Sequence, residues 1–542
     1  MKTAITRHIA DNVVRRHTWG RSRVHVTGFI FSQWVEPRWA GVVIVFASIN
    51  SATLFGIEGA PVAVEVHIGA GLPGFSVVGL PDEACREARD RVRAALLSSG
   101  FEWPNRRITV NLAPSDRRKG GSGLDLALAI GILVAQGKIH ASATEGIGFV
   151  AELGLDGSLK SVPGTAPLVA AMRHLHVVVA SSGGADARVA APRRVSVADS
   201  LGDVVLGLQR HIEWSEAEAI APAGEIASSV DMSDVRGQPV ARRAAEVAAA
   251  GAHNLLLVGG PGGGKTMLAE RIAGLLPPLD GHDALTATMI RSAAGERLGG
   301  LVCTPPFRAP HHSASMIAMV GGGSGVVRPG EVSLAHGGVL FLDEVGEFAP
   351  TVLDALRQPL ESGEIRLARS GAAVTMPARF LLVGATNPCP CGGGGPGACV
   401  CNDAARQRYL RRLSGPLLDR FDLRVAVAAT SPADLLDDGP AESTATVRRR
   451  VDAARCLASA RQGKPNARLS VAELDEHAAV SDDARSLLLA ELEAGRLTGR
   501  GFHRVRRVAR TIADLDGNGL GDVGADHVNE ALALRARVGA TR

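Results

Sequence analysis

The chain has few aromatic side chains: 13 Phe, five Trp and a single Tyr, 4% of 542 residues. Its cores must therefore be filled mainly by Ala, Val and Leu. Cysteine is also scarce, at seven residues, which excludes a disulfide-stapled scaffold. The longest apolar stretch near the N-terminus, Ala40–Phe46, soon meets Ser48, Asn50, Ser51 and Thr53, too short and interrupted to cross a bilayer. Residues 1–20 carry Arg7, Asp11, Arg15 and Arg16 where a signal peptide needs an apolar core. A cytoplasmic, reducing setting without a membrane partner is expected. An excess of one charge sign is missing too. The net charge is +4, but residues 1–44 hold seven Lys or Arg against two Asp or Glu, leaving −1 for the remainder. The basic balance is thus no evidence for a nucleic-acid partner. What is plentiful is glycine, 64 residues, without a G-X-Y period, so collagen is excluded. A hydrophobic content of 46% excludes a wholly disordered chain.

Hydrophobic periodicity divides the chain into α/β and helical regions. Val62, Val64, Val66 and Ile68 alternate with Ala63, Glu65 and His67, the pattern of a strand. Short strands are expected at Phe75–Val78, Arg107–Leu112 and Val177–Ala180, a helix at Asp82–Ser99 and a buried helix at Leu124–Ala135. The Ala-, Pro- and Ser-rich stretch 216–230 reads as a linker. A second α/β unit follows, with strands at Asn254–Val258, Gly338–Leu342 and Arg379–Val383. Beyond the acidic, proline-punctuated segment Ala428–Ala445 the pattern is helical: Thr446–Arg461, Val471–Ala478, Asp482–Ala494, Gly501–Asp514 and Gly524–Arg535. The domains read as 45–215, 231–430 and 431–542. Residues 1–44 are an atypical basic extension, either disordered or a start-site artefact.

The second unit carries the chemistry. Gly259-Gly260-Pro261-Gly262-Gly263-Gly264-Lys265-Thr266 fits G-x-x-x-x-G-K-[ST] between an apolar strand and a helix beginning at Met267. Successive backbone N–H groups of such a loop wrap phosphates, and the helix N-terminus adds its field. Lys265 is expected on the β- and γ-phosphates of ATP and Thr266 on Mg²⁺. The strand Val339–Leu342 ends in Asp343-Glu344: Asp343 for Mg²⁺, Glu344 to polarise the attacking water. Asn387 follows the next strand, where a polar amide points into the ligand crevice of a parallel sheet and can position the water; the alternative is a helix or turn cap. Arg420 has two readings, a local pair with Asp419 or Asp422 and an arginine finger toward a neighbouring subunit's ATP; spacing does not separate them.

Cys389-Pro390-Cys391 and Cys399-Val400-Cys401 suit a tetrahedral S₄ site, with Zn²⁺ the favoured ion. The alternative is four reduced cysteines shaping an insertion. His311-His312-Ser313 invites a metal guess, but neighbours on a regular element point apart, so local or phosphate contacts are expected. Arg448-Arg449-Arg450 and the six arginines from Arg496 to Arg510 suit either a solvated, subunit-contacting face or salt-sensitive, sequence-nonspecific DNA contact.

Taken with Gly71-Leu72-Pro73-Gly74-Phe75, Val78-Gly79-Leu80-Pro81-Asp82, Gly121–Leu126, Phe307–Ser313, Leu356-Arg357-Gln358-Pro359-Leu360-Glu361 and Val508–Leu515, the chain resembles the YifB/ComM family of magnesium-chelatase-like AAA+ ATPases. The resemblance runs from about Phe46 onward and implies a P-loop AAA+ core, an N-terminal Lon-protease-like α/β domain and a C-terminal helical lid domain. It implies Walker A at Lys265 and Thr266, Walker B at Asp343 and Glu344, sensor 1 at Asn387 and the finger at Arg420. Arg500 looks like sensor 2, with Arg504 competing. It further implies a hexameric ring acting on single-stranded or branched DNA, a branch-migration helicase of natural transformation working beside recombination proteins. The alternatives are a magnesium-chelatase-type ATPase subunit driving a protein partner and a regulatory or assembly ATPase. The Lon-like domain is expected to be non-proteolytic: the serine of the protease pattern falls nearest Gly123, not Ser122, and Ser161–Ala166 lacks the matching lysine.

Overall fold

The computed structural model describes residues 45–116, 118–191, 193–218, 230–323, 327–369, 372–393, 399–412, 415–428 and 441–536. The expected N-terminal extension, most of the linker and much of the acidic segment lie outside the described residues.

The first region is built on an eight-stranded mixed sheet. Its spatial order is Ser215–Glu216, Val195–Ala198, His176–Ala180, Ile147–Val150, Val45–Phe55, Glu58–Gly69, Arg107–Ala113, Gly74–Val78. The period of two read between Val62 and Ile68 is the buried face of the sixth of these: all four apolar residues are buried. That strand is longer than the alternation suggested and pairs antiparallel with Val45–Phe55 through a tight hairpin. Helix Glu83–Ser98 starts where Asp82 accepts the Cys85 N–H at 2.9 Å, a side-chain cap satisfying an orphan donor. Helix Asp125–Ala135 is buried along its whole length, as expected of an uninterrupted apolar run.

The second region is a five-stranded, all-parallel sheet, in the order Phe307–Arg308, Val339–Leu342, Leu381–Thr386, Leu255–Val258, Leu423–Ala426. Parallel strands need helices on both faces, and their cores here are Ala-, Val- and Leu-rich. An antiparallel hairpin, Glu364–Arg369 with Ala372–Pro377, projects beside it.

Helices Thr444–Gln462, Val471–His477, Asp482–Glu493, Gly499–Leu515 and Ala525–Ala533 complete the chain. All but Val471–His477 share one apolar cluster with the alanine-rich helix Pro239–Gly251 and the parallel sheet, while Leu474 of that short helix packs with Leu469 and Ala478 in a small cluster of its own. His253 ties the junction, its Nε2 2.7 Å from Thr511 and its Nδ1 3.5 Å from Asp422. The eight-stranded region docks on the parallel one through backbone bonds, Gly164 N–H to Ser292 O at 2.7 Å, and through Asp186, which accepts the Leu298 N–H at 3.2 Å.

Candidate functional site

All strands of the parallel sheet run one way, so their C-terminal ends share one rim. Such a rim is where α/β sheets bind ligands. Strand Leu255–Val258 delivers the glycine loop to it. Gly262 and Gly264 sit at φ +77° and +79°, left-handed values that favour glycine. A Cβ on Gly259 would meet the Val427 carbonyl oxygen at 2.2 Å, so only glycine fits there. Helix Lys265–Leu275 follows directly.

The Lys265 ammonium donates to the Gly259 and Gly260 carbonyls, both at 2.8 Å, and to Asn387 Oδ1 at 3.3 Å. Burial lowers its pKa, with Asp343 and Glu344 opposing. A partly desolvated ammonium gains strongly from an incoming phosphate. Thr266 donates its hydroxyl to Asp343 Oδ2 at 2.9 Å, and Asp343 Oδ1 accepts the Glu344 N–H at 2.9 Å. Adjacent oxygens on an octahedral Mg²⁺ with bonds of about 2.05 Å lie about 2.9 Å apart. Thr266 and Asp343 therefore fit such an ion. Glu344 has a half-exposed side chain and stands at φ +50°. Lys265, Thr266, Asp343, Glu344 and Asn387 are thus brought together on one rim. Gly260, Pro261 and Gly263 belong to the same loop, and Met267 is exposed at the start of the helix.

The cysteine loop abuts this rim. The Cys389, Cys391 and Cys399 sulfurs lie 3.4 to 3.6 Å apart, and all four Sγ atoms, Cys401 included, fall within 4.8 Å. A tetrahedron with Zn–S bonds of about 2.3 Å has edges of about 3.8 Å, so the set fits zinc. Gly392, inside this loop, packs close to Pro261, since a Cβ on it would meet the proline ring at 2.9 Å. Beyond the loop, helix Asp403–Arg412 returns Tyr409 to Thr386 at 3.1 Å and places its ring against Gly346. The cysteines thus bridge segments that touch the phosphate loop on one side and the strand before Asn387 on the other.

Arg420 stands elsewhere. It pairs with Glu361, not with Asp419 or Asp422, so the local pair read from spacing is replaced by a long-range one. Burial lowers its pKa, and Arg504, Arg500 and Arg357 push it the same way. Arg504 is occupied by Asp422 at 3.6 Å. Burial pushes the Asp422 pKa up, but His253, Arg504 and Arg535 outweigh it and hold the carboxyl below its ordinary value. Arg500 is exposed in the first turn of Gly499–Leu515. Arg500 and Arg504 thus lie near enough to Arg420 to act on its charge, as Asp343 and Glu344 act on that of Lys265.

Two sequence readings change. Of the six arginines between Arg496 and Arg510, five have partners within the chain. Arg496 takes Glu491, Arg504 Asp422, Arg506 Asp475, Arg507 the Leu469 carbonyl and Arg510 Asp514. Arg448 pairs with Asp452, and Arg450 with Glu246 and Glu442. Most of these arginines hold the chain together. The His311 and His312 rings do not diverge; their centroids are 4.1 Å apart, because the segment is not a regular element. Spacing also missed the partner Glu361 and the nearby like charge of Arg357, although Leu356–Glu361 was among the residues carrying the resemblance.

Residues 231–435 match the family described as magnesium chelatase, subunit ChlI. Residues 64–182 match subunit ChlI of Mg-chelatase and residues 441–535 the subunit ChlI C-terminal family. The chain is 42% identical to an uncharacterized protein YifB of Salmonella typhimurium over 498 residues, covering 90% of this chain and 97% of that protein. It is 42% identical to competence protein ComM of Haemophilus influenzae over 500 residues, 91% and 98% of the two chains. Over 180 residues, a third of this chain and 23% of the other, it is 27% identical to a probable DNA helicase MCM9 of Arabidopsis thaliana.

Proposed function

The chain belongs to the YifB/ComM family of magnesium-chelatase-like AAA+ ATPases, and from that premise we propose that it is a ring-forming, ATP-driven motor that migrates branches on DNA during recombination of incoming strands. The observation that carries the hydrolytic half is the joint placement of Lys265, Thr266, Asp343, Glu344 and Asn387 on one sheet rim. Lys265 and the glycine-loop amides bind and orient the phosphates. Thr266 and Asp343 hold Mg²⁺, which would neutralise charge developing on them. Glu344 accepts a proton from the attacking water, and Asn387 fixes that water's position.

Arg420 is paired with Glu361 and not with a residue of the phosphate rim, which supports a ring. Arg420 and Arg500 on one copy would complete the site of the next, as a finger acting in trans does. Zinc on the four cysteines would brace the loop against Pro261. The N-terminal region is read as a non-proteolytic, Lon-like scaffold, in which Ser122 is engaged with Glu152; peptidase activity lost on Ser122→Ala would overturn that.

The DNA half is supported by the ComM relative and the MCM9 likeness. The intrachain pairing of the arginines favours a second reading, an ATPase acting on a protein partner. ATP hydrolysis measured with and without single-stranded and junction DNA separates the two. Stimulation that falls as salt rises supports the DNA motor; a rate indifferent to DNA supports the second reading.

A further inference from the structure

Residues 86–119 hold nine Lys or Arg against four Asp or Glu, while 45–215 as a whole is balanced at sixteen of each. The positive excess is therefore local. Arg89 is taken by Asp90 and Arg91 by Asp125. Arg106 and Arg107 are exposed, and neither guanidinium has an ion-pair or hydrogen-bond partner among the described residues. In this they differ from most arginines of Gly499–Leu515.

The strand order decides what stands beside them. Arg107 opens the strand Arg107–Ala113. In register it is flanked by Gly69, the last residue of one neighbouring strand, and by Gly74, the first residue of the other. The turn joining those two neighbours must therefore cross the end of the strand that Arg107 opens. Leu72 lies in the middle of this turn, 88% exposed. Residues 70–74 are all exposed, and a Cβ on Gly71, at φ +125°, would meet nothing within 4 Å. The turn stands clear of the rest of the chain. Its base is anchored: the Phe75 ring lies 5.9 Å from the Trp103 ring, and both pack against the core of the sheet. Guanidiniums take phosphates and so position a nucleic acid, and a projecting apolar side chain wedges between stacked bases.

We propose that the 69–74 turn is a wedge that meets the branch point of DNA: Arg106 and Arg107 bind the flanking phosphates, and Leu72 packs on the base pair left open there. The inference rests on the reading of the chain as a DNA motor, and it gives the N-terminal region direct contact with the substrate. A branch exposes an apolar base-pair face that a continuous duplex keeps stacked, and covering that face with a leucine is favourable.

In the test, the full chain and a nonhydrolysable ATP analogue are added to a synthetic three-strand junction and to a linear duplex of the same sequence, over a range of salt. The junction carries at its branch a fluorescent purine analogue that brightens on unstacking. The wild type should brighten it. Leu72→Ala should bind the linear duplex as the wild type does and lose most of the signal, and Leu72→Met should keep it. Joint Arg106→Gln and Arg107→Gln should weaken binding to both DNAs and reduce the slope of log affinity against log salt by about 1.8, as expected for two lost phosphate contacts. A full signal from Leu72→Ala, or an unchanged salt slope in the arginine variant, overturns the proposal. So does a change of oligomeric state in either variant, measured by sedimentation, which marks the face as a contact between copies. A wild type that binds neither DNA defeats the motor reading itself, a result distinct from the others.

Discussion

Asp514 accepts hydrogen bonds from three side chains and is fully buried. Arg461 donates twice, at 2.7 and 2.8 Å; Arg510 donates at 3.0 and 3.2 Å; Asn466 donates at 2.7 Å. Both guanidiniums are nearly or wholly buried. In Asp514→Ala two cations remain side by side in the interior without their anion. Breaking a buried pair by removing one partner costs about 3–5 kcal/mol. The guanidiniums keep some carbonyl partners, Gly519 for Arg461 and Gly521 for Arg510, which places the loss near the lower end, about 3 kcal/mol. At roughly 2–4 °C per kcal/mol for a unit of this size, the melting transition should fall by about 6–12 °C. Asp514→Asn keeps an acceptor and should fall by less. The same helix presents Arg500 in its first turn, so ATP hydrolysis at low temperature should survive while its thermal limit drops. Calorimetry with parallel rate measurements is the assay. A shift below about 2 °C would refute the claim that this network, and not nucleotide contact, is the role of Arg510 and Asp514.

Purified protein should carry about one zinc per chain, and folded, metal-free protein would contradict the four-cysteine site. Burial raises the Asp186 pKa to about 6, with the Leu298 N–H opposing. Its folded value lies above its unfolded one, so the folded form binds the extra proton. The group's contribution to stability is therefore greatest below about pH 4 and lost as pH rises through about 6. Asp186→Asn keeps an acceptor for Leu298 without the charge. It should melt higher than wild type at pH 8, by roughly 1 kcal/mol once solvent screening of the partly exposed carboxyl reduces the about 3 kcal/mol of a two-unit shift, and approach it at pH 4. Arg420→Ala and Lys265→Ala should each abolish hydrolysis, and mixing them should restore part of it, because some mixed interfaces then hold an intact Lys265 and an intact Arg420; strict additivity of two inactive proteins would argue against a finger acting in trans.

The parts legible in the sequence were those whose physics is local. Alternation from Val62 to Ile68 gave a strand because one face is buried and the other is not. The glycine loop was readable because phosphate binding by consecutive N–H groups needs contiguous residues. Strands Phe307–Arg308 and Leu423–Ala426 escaped notice: two residues are too few to display a period, and Arg424 interrupts the apolar run of the other. Arg420 with Glu361, His312 with Glu344 and Gly392 with Pro261 lie far apart in sequence. Such pairs arise from the order of strands in the sheet, which no local spacing encodes. The arginine runs misled for a related reason. Composition shows a charge but not the carboxylate that folding brings to it, and Arg506 and Arg510 are buried despite their charge.

The most direct measurement of the central claim is branch migration on a synthetic three-strand or Holliday junction with ATP, comparing the wild type with Lys265→Ala. Migration by the wild type that disappears in Lys265→Ala is the expected result. Migration that survives the substitution, or a wild type that hydrolyses ATP yet leaves the junction in place, would contradict the account.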